Sequence, residues 1–97
     1  VMKATMLSDR LYQLRTGKRM RQKLLADAIG VDSTTYSRIE KGERRPKEEQ
    51  LPTLAKMLDV ETTELYSLLV ADKMAVAVGD APNEIADMAI SILHNNI

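Results

Sequence analysis

The chain has 97 residues, of which 44% are hydrophobic; it has no Cys, Trp or Phe, and its formal net charge is zero. This length suits one domain, with room for one appended element. The absence of Cys excludes disulfides and thiolate metal sites, and the core must be largely aliphatic. Because neither a secretory segment nor a long uncharged apolar run occurs, we expect a soluble, cytoplasmic protein.

The charges are unevenly distributed along the chain. Residues 1–50 hold twelve Lys and Arg against seven Asp and Glu, a net of +5, and residues 51–97 hold two Lys against seven Asp and Glu, a net of −5. A nucleic-acid-binding protein needs a local basic face rather than an overall positive charge. Zero net charge therefore does not exclude DNA binding, although a chance split would give the same totals.

Helix 1 is predicted from Ser8 to Arg15, with Leu7, Leu11 and Leu14 facing inward at helical spacing and Gly17 as its C-cap. Helix 2 is predicted from Arg21 to Ile29 and helix 3 from Ser33 to Lys41. The inward residues of these two helices are Leu25, Ala26, Ile29, Tyr36 and Ile39. A unit of this kind can lay its second helix in the major groove of DNA.

The turn between helices 2 and 3 has suitable residues for a sharp change of direction. Gly30 supplies the positive φ that a helix exit commonly needs, and Asp32 and Ser33 are both good N-caps for helix 3.

Three more helices are predicted downstream, and no strand is convincing. Helix 4 covers Glu49–Leu58 with Pro52 in its first turn, and its core face is Leu51, Leu54, Ala55 and Leu58. Helix 5 begins after an N-cap at Thr62 or Thr63 and runs to Val78. Helix 6 follows a turn and reaches Asn95. The predicted fold class is therefore all-α.

Residues 22–46 resemble the helix-turn-helix of the Cro/cI-type repressor family, also called the XRE family. The matching residues are Gln22, Leu25, Ala26, Ile29, Gly30, Val31, Ser37, Arg38, Ile39, Glu40, Lys41, Gly42 and Pro46. The resemblance extends over about residues 7–65. It implies a lambda-repressor-like DNA-binding domain of about five helices in residues 1–65, with an extra C-terminal helix in an extension, residues 66–97.

Two residues depart from the family pattern. Tyr36 stands where Ile or Val is usual; its ring can pack inward and leave its hydroxyl in water. Asp59 stands where Gly is frequent.

Four polar residues of helix 3 are predicted to read DNA bases, because they project opposite its core face and match base-contacting positions of the family. They are Ser33, Thr34, Ser37 and Arg38. Arg38 can donate two hydrogen bonds to guanine, worth about 1–3 kcal/mol of discrimination. The alternatives are that Ser33 only caps the helix and that Arg38 reaches a phosphate.

A second set is predicted to contact the DNA backbone, because it flanks both ends of the two-helix unit. It comprises Gln22, Lys41, Arg44, Arg45, Lys47, Arg19 and Arg21. The resemblance gives Gln22 this role, and each cation alone could equally be a solvated surface charge. About five phosphate contacts would give a slope of about −4.5 for log K against log salt.

The resemblance also implies a partly buried structural ion pair between Arg15 and Glu40. Glu40 is not predicted to contact DNA, since a carboxylate near phosphate is unfavourable.

Residues 66–97 are predicted to mediate dimerisation, because helix 5 is apolar over most of its circumference and helix 6 has an apolar stripe. The predicted interface residues are Leu68, Leu69, Met74, Val76, Ile85, Met88, Ile92 and Leu93. A two-fold pair would set two copies of helix 3 about 34 Å apart on a palindromic operator. Alternatively, helix 6 folds back on helix 5 of the same monomer.

The sequence thus predicts a bacterial, sequence-specific transcriptional regulator. We expect a homodimeric repressor that binds double-stranded DNA and needs no cofactor. The alternative is a protein-interaction module, such as an antitoxin whose C-terminal helices bind a partner protein. An enzyme is disfavoured, since the sequence offers no nucleophile–base pair, metal cluster or phosphate loop. His94, the single histidine, is expected to be solvated.

Overall fold

The computed structural model describes residues 5–79 and 81–96, and over these residues the regular structure is entirely helical. The helices are α1 (Met6–Gly17), α2 (Gln22–Ala28), α3 (Ser33–Glu40), α4 (Leu51–Leu58), α5 (Thr62–Val78) and α6 (Asn83–Asn95), with a short 3-10 turn at Glu48–Gln50. This confirms the predicted all-α fold class. Within the described ranges, no helix is both long and apolar enough to span a membrane.

One aliphatic core joins the first five helices. It consists of Leu7, Leu11, Leu25, Ala26, Tyr36, Ile39, Leu51, Leu54, Ala55, Leu58, Leu65 and Leu69. α1 packs on α3 and α5, α2 on α3 and α4, and α4 on α5. The helical spacing of apolar residues predicted the inward faces of α1 to α4 correctly. Leu14 and Ile29 of these faces are only partly buried, at the edge of the core. Burial of each large side chain contributes about 1.5–3 kcal/mol, so this core holds α3 firmly against the other helices.

The turn between α2 and α3 has the backbone geometry of a tight helix exit. Gly30 has φ +74°, and the Val31 N–H donates to the Ala26 carbonyl at 3.0 Å. Asp32 then caps α3, because its carboxylate accepts a hydrogen bond from the Thr35 N–H at 2.6 Å. Ser33 is the first residue inside the helix, so the N-cap of α3 is Asp32 and not Ser33.

The Asp32 cap makes a pH-dependent contribution to the stability of α3. The hydrogen bond from the Thr35 N–H, chiefly, lowers the pKa of Asp32 below its ordinary value. The capping contribution is therefore fully present above the ordinary Asp pKa and is lost as pH falls through the lowered value.

The predicted end of helix 1 is wrong. α1 runs through Gly17, and the residue in the left-handed region is Arg19, with φ +57°. The Met20 N–H donates to the Arg15 carbonyl at 3.1 Å and the Arg19 N–H to the Thr16 carbonyl at 3.0 Å. These two hydrogen bonds require a left-handed backbone at the residue before Met20. Arg19 occupies that position, although its side chain does not favour a left-handed backbone.

The start of α5 also differs from the prediction. Its N-cap is Glu61 rather than Thr62 or Thr63, and the Glu61 side chain makes no capping hydrogen bond. The preceding helix ends with Asp59 at φ +57°, and the Val60 N–H donates to the Ala55 carbonyl at 3.0 Å. Gly is frequent at position 59 because the backbone there is left-handed, and Asp is among the few other residues that tolerate this conformation.

Tyr36 is more deeply buried than predicted. The expectation that its hydroxyl stays in water is wrong, because the whole residue has 0% exposure and the oxygen makes no hydrogen bond with a described residue. Burial, and next the neighbouring carboxylate of Glu40, raise the pKa of Tyr36 well above its usual range. The ring fills the position that a branched aliphatic residue usually occupies, and its longer body brings the hydroxyl near Glu40 and Arg15.

Asp72 of α5 is a buried carboxylate that the sequence analysis did not single out. It is 3% exposed and accepts hydrogen bonds from the backbone N–H groups of Met6, at 2.8 Å, and Leu7, at 3.0 Å. The first N–H groups of a helix have no partner within the helix. Asp72 therefore caps α1 from a helix more than sixty residues further along the chain.

The C-terminal helix α6 stands apart from the core. None of its described residues is buried, and it shares no extensive packing with another element. Folding of α6 back onto α5 within one monomer, the alternative considered above, is therefore not the observed arrangement.

Candidate nucleic-acid interface

The four predicted base-reading residues lie together on the outer face of α3. Ser33, Thr34 and Arg38 are exposed and Ser37 is partly exposed. With Lys41 and Glu43 they line one shallow concavity of about 410 Å³. The face opposite the core is thus a continuous polar stripe of hydroxyls, a guanidinium and an ammonium, which are groups that can donate to or accept from base edges.

Glu43 is a member of this concavity that the sequence analysis did not select. Its position follows from the end of α3, where its N–H donates to the Arg38 carbonyl at 3.0 Å and Gly42 has φ +77°. A Cβ on Gly42 would approach Thr5 Cγ2 to 2.7 Å, so this turn is tightly held against the start of α1. The local helix-exit signal at Gly42 could have placed Glu43 beside the stripe.

The predicted backbone-contacting cations lie in two segments that flank the α2–α3 unit in the sequence. Residues 18–21 precede α2, and residues 41–47 follow α3 and are anchored by the buried Pro46. The cations Arg19, Arg21, Lys41, Arg44, Arg45 and Lys47 are all exposed. Among the described residues none of them forms an ion pair, so their charges are available to an anionic partner.

A buried ion-pair network connects the ends of α1, α2 and α3. Arg15 donates from Nε to Glu40 Oε2 at 2.6 Å and from Nη2 to Glu40 Oε1 at 2.9 Å. Gln22 Nε2 donates to the same Oε1 at 3.2 Å, and Arg15 Nη1 donates to the Met20 carbonyl at 2.8 Å. The side chains of Arg15 and Glu40 are only 14% and 5% exposed. The hydrogen bond to Glu40, chiefly, raises the pKa of Arg15, so the guanidinium stays charged.

The predicted dimerisation residues divide into two groups. Met74, Val76, Ile85, Met88, Ile92 and Leu93 are exposed large hydrophobics on α5 and α6. Leu69 is 2% exposed and belongs to the monomer core, and Leu68 is partly buried against that core. The selection of Leu69 as an interface residue is therefore corrected, because that side of α5 faces α1 and α4.

Two helices joined by a tight turn, the second with an exposed polar stripe between basic segments, define a helix-turn-helix domain. The chain belongs to the helix-turn-helix family, which matches residues 11–65, more than half of its length. The matched segment runs from the middle of α1 to the first turn of α5.

Curated relatives resemble about three-fifths of the chain. The transcriptional activator BcrR of Enterococcus faecalis is 38% identical over 60 residues, which are 62% of this chain and 29% of the relative. The cryptic phage CTXphi transcriptional repressor RstR of Vibrio cholerae is 39% identical over 62 residues, 64% of this chain and 56% of the relative. The transcriptional regulator AnsR of Bacillus subtilis (strain 168) is 40% identical over 57 residues, 59% of this chain and 49% of the relative.

The matched segment spans from less than a third to just over half of these relatives' lengths. No solved structure matches the chain.

Proposed function

We propose that the protein is a sequence-specific, DNA-binding transcriptional regulator that inserts α3 into the major groove. The observation that carries the proposal is the exposed polar stripe of α3, in a two-helix unit flanked in sequence by two segments of exposed cations that form no ion pair with a described residue. α3 is held rigidly on an aliphatic core, and such a supported helix can present side chains to base edges in a fixed register. Relatives named as transcriptional regulators support the same function.

The division of labour follows from the position of each group. Ser33, Thr34, Ser37 and Arg38 are proposed to read bases, because they lie on the outward face of α3. Gln22 and the exposed cations of the two flanking segments are proposed to bind phosphates. Since Ser and Thr side chains are short, part of the specificity would come from DNA shape or bridging water.

Selection of bound sequences from random DNA, at a stated salt concentration, is the experiment that tests this function. A two-fold symmetric consensus is expected, with half-sites about one helical turn apart. Recovery of no consensus, together with binding that disappears at moderate salt, would contradict sequence-specific recognition.

Replacement of Arg38 by Ala is expected to relax specificity at one base pair. Loss of the two hydrogen bonds from Arg38 to guanine costs about 1–3 kcal/mol of binding free energy at that base pair and little at the others. Affinities for the selected operator and its single-base variants measure the effect. Lys56→Ala, an exposed cation of α4 outside both basic segments, is the matched control. An equal loss on every base variant would instead assign Arg38 to a phosphate.

We further propose that the protein acts as a homodimer through the exposed apolar residues of α5 and α6. Ile85, Met88 and Ile92 are 55%, 61% and 60% exposed in the monomer. They lie on one stripe of α6, and a contiguous exposed apolar surface of this kind is typical of an association site. A second copy would cover the stripe and set two α3 helices on a palindromic operator.

Introduction of negative charge on the apolar stripe of α6 tests the dimer. Met88→Glu combined with Ile92→Glu is expected to give a monomeric mass by light scattering, unchanged circular dichroism of the core, and at least tenfold weaker operator binding, because charge on an apolar interface is unfavourable. Asn83→Glu combined with His94→Glu places the same acidic residues on the other side of α6 and should leave the dimer intact. A monomeric wild-type protein at micromolar concentration would contradict the proposal.

The proposed regulatory mode is repression, in which a bound dimer occludes a promoter in the bacterial cytoplasm. The relatives' names include both an activator and a repressor, so a reporter gene behind the selected operator is the discriminating assay.

The exposed face of α6 also suits a second candidate function, a module that binds another protein. A monomeric chain that recovers one stoichiometric partner from its source cell would favour that function.

A further inference from the structure

A second concavity adjoins the base-reading stripe on the side of α1 and α2. It has a volume of about 340 Å³ and is lined by Tyr12, Arg15, Gln22, Ser37, Glu40 and Lys41. Ser37 and Lys41 line both concavities. With α3 in a major groove, the space beside its reading stripe faces the sugar–phosphate wall of that groove.

Tyr12 is the aromatic residue that lines this concavity. The residue is 50% exposed and is one of the three aromatic residues in the chain. Its backbone carbonyl accepts a hydrogen bond from the Thr16 hydroxyl at 2.8 Å, whereas its own hydroxyl makes no hydrogen bond with a described residue. The Arg15 guanidinium carbon lies 5.6 Å from the ring centroid, within the range of a cation–π contact.

The Arg15–Glu40 pair fixes the position of this ring. Arg15 is held by two hydrogen bonds to Glu40 and one to the Met20 carbonyl, so the guanidinium that faces Tyr12 has a defined place. Glu40 also orients the Gln22 amide at 3.2 Å, which leaves the second amide hydrogen of Gln22 free to donate.

The electrostatics of the concavity favour an anion in spite of Glu40. Both carboxylate oxygens accept hydrogen bonds from Arg15, and the side chain is 5% exposed. Lys41 adds a cation without an ion-pair partner among the described residues. A phosphate oxygen here would meet Lys41 and the donors of Gln22, Ser37 and Tyr12.

We propose that the Tyr12 hydroxyl donates a hydrogen bond to a DNA phosphate, with its ring positioned by the Arg15–Glu40 pair. The proposal rests on the proposed DNA-binding function and adds a neutral backbone contact from α1, a helix outside the two-helix unit. Tyr is a good residue for this contact because its hydroxyl is carried on a rigid ring and loses little conformational freedom on binding.

Tyr12→Phe is the direct test, because Phe keeps the ring over Arg15 and removes only the hydroxyl. The variant is expected to bind the selected operator about tenfold more weakly. The slope of log K against log salt should not change, since no charge is lost, and every base variant should lose affinity equally. Tyr66→Phe, which removes a hydroxyl from the partly buried Tyr66 of α5, is the matched control and should bind like the wild type.

Neutral methylphosphonates at single positions of the operator identify the phosphate. At one position per half-site, the substitution should weaken the wild type but have little further effect on Tyr12→Phe, a coupling that a purely structural role would not produce. Equal binding by the wild type, Tyr12→Phe and Tyr66→Phe would overturn this inference and leave the proposed function standing. A wild-type protein that binds no duplex would overturn both.

Discussion

Replacing Glu40 by Ala is expected to lower the free energy of unfolding by up to about 3–5 kcal/mol, the usual cost of breaking a buried ion pair from one side. The Arg15 guanidinium, only 14% exposed, would keep its charge and lose both hydrogen bonds to the carboxylate, and Gln22 would lose its acceptor. Small domains are stable by about 5–15 kcal/mol, so the variant would be close to unfolding at moderate temperature.

Lys41→Ala is the matched control, because Lys41 is adjacent in sequence, charged and exposed. Its removal should change stability by less than about 0.5 kcal/mol. Thermal and urea unfolding followed by circular dichroism measure both variants, and equal melting temperatures would refute the assignment of Glu40 to the fold. Arg15→Met combined with Glu40→Met should be more stable than Glu40→Ala, because no unpaired charge remains.

Replacing Asp72 by Ala is expected to cost about 2–3 kcal/mol of unfolding free energy. The substitution removes two charge-assisted hydrogen bonds and leaves the N–H groups of Met6 and Leu7 without an acceptor in a site that is 3% exposed. It also removes a negative charge from the positive end of the α1 dipole. We expect the loss to appear first as faster hydrogen exchange at the start of α1.

Asp87→Ala provides the comparison, since Asp87 is an exposed acid on α6 and its removal should be nearly neutral. Asp72→Asn should fall between the wild type and Asp72→Ala, because the amide oxygen still accepts while its NH2 group has no acceptor. Stabilities of Asp72→Ala and Asp87→Ala that agree within about 0.5 kcal/mol would show that the cap contributes little.

Local patterns predicted the helices well. The inward faces of α1 to α4 followed from apolar residues at helical spacing, and Gly30 marked the turn before α3 because its positive φ is a property of a few neighbouring residues. The family resemblance supplied what spacing does not, above all that Arg15 and Glu40, 25 residues apart, belong together; the two side chains lie 2.6 Å apart.

Features that depend on distant packing were missed. Asp72 reads in the sequence as an acid that interrupts an apolar run, and only the approach of α1 to α5 makes it a cap. The burial of Leu69 and of the Tyr36 hydroxyl depends on which side of a helix the rest of the core covers. The end of α1 was misplaced because Gly17 matched the preference for Gly, whereas the backbone hydrogen bonds put Arg19 in the left-handed region.

At Arg19, the residue that best suits the backbone conformation differs from the residue that suits phosphate binding. A left-handed residue with a Cβ is strained by about 1–2 kcal/mol relative to Gly, which adopts a positive φ without this steric cost. Yet Arg19 is one of the cations in the segment before α2. Selection for heat resistance alone would favour Gly at position 19 and discard a positive charge, whereas selection for regulation would retain Arg. Which residue stands there in related chains would thus record which of the two pressures has prevailed.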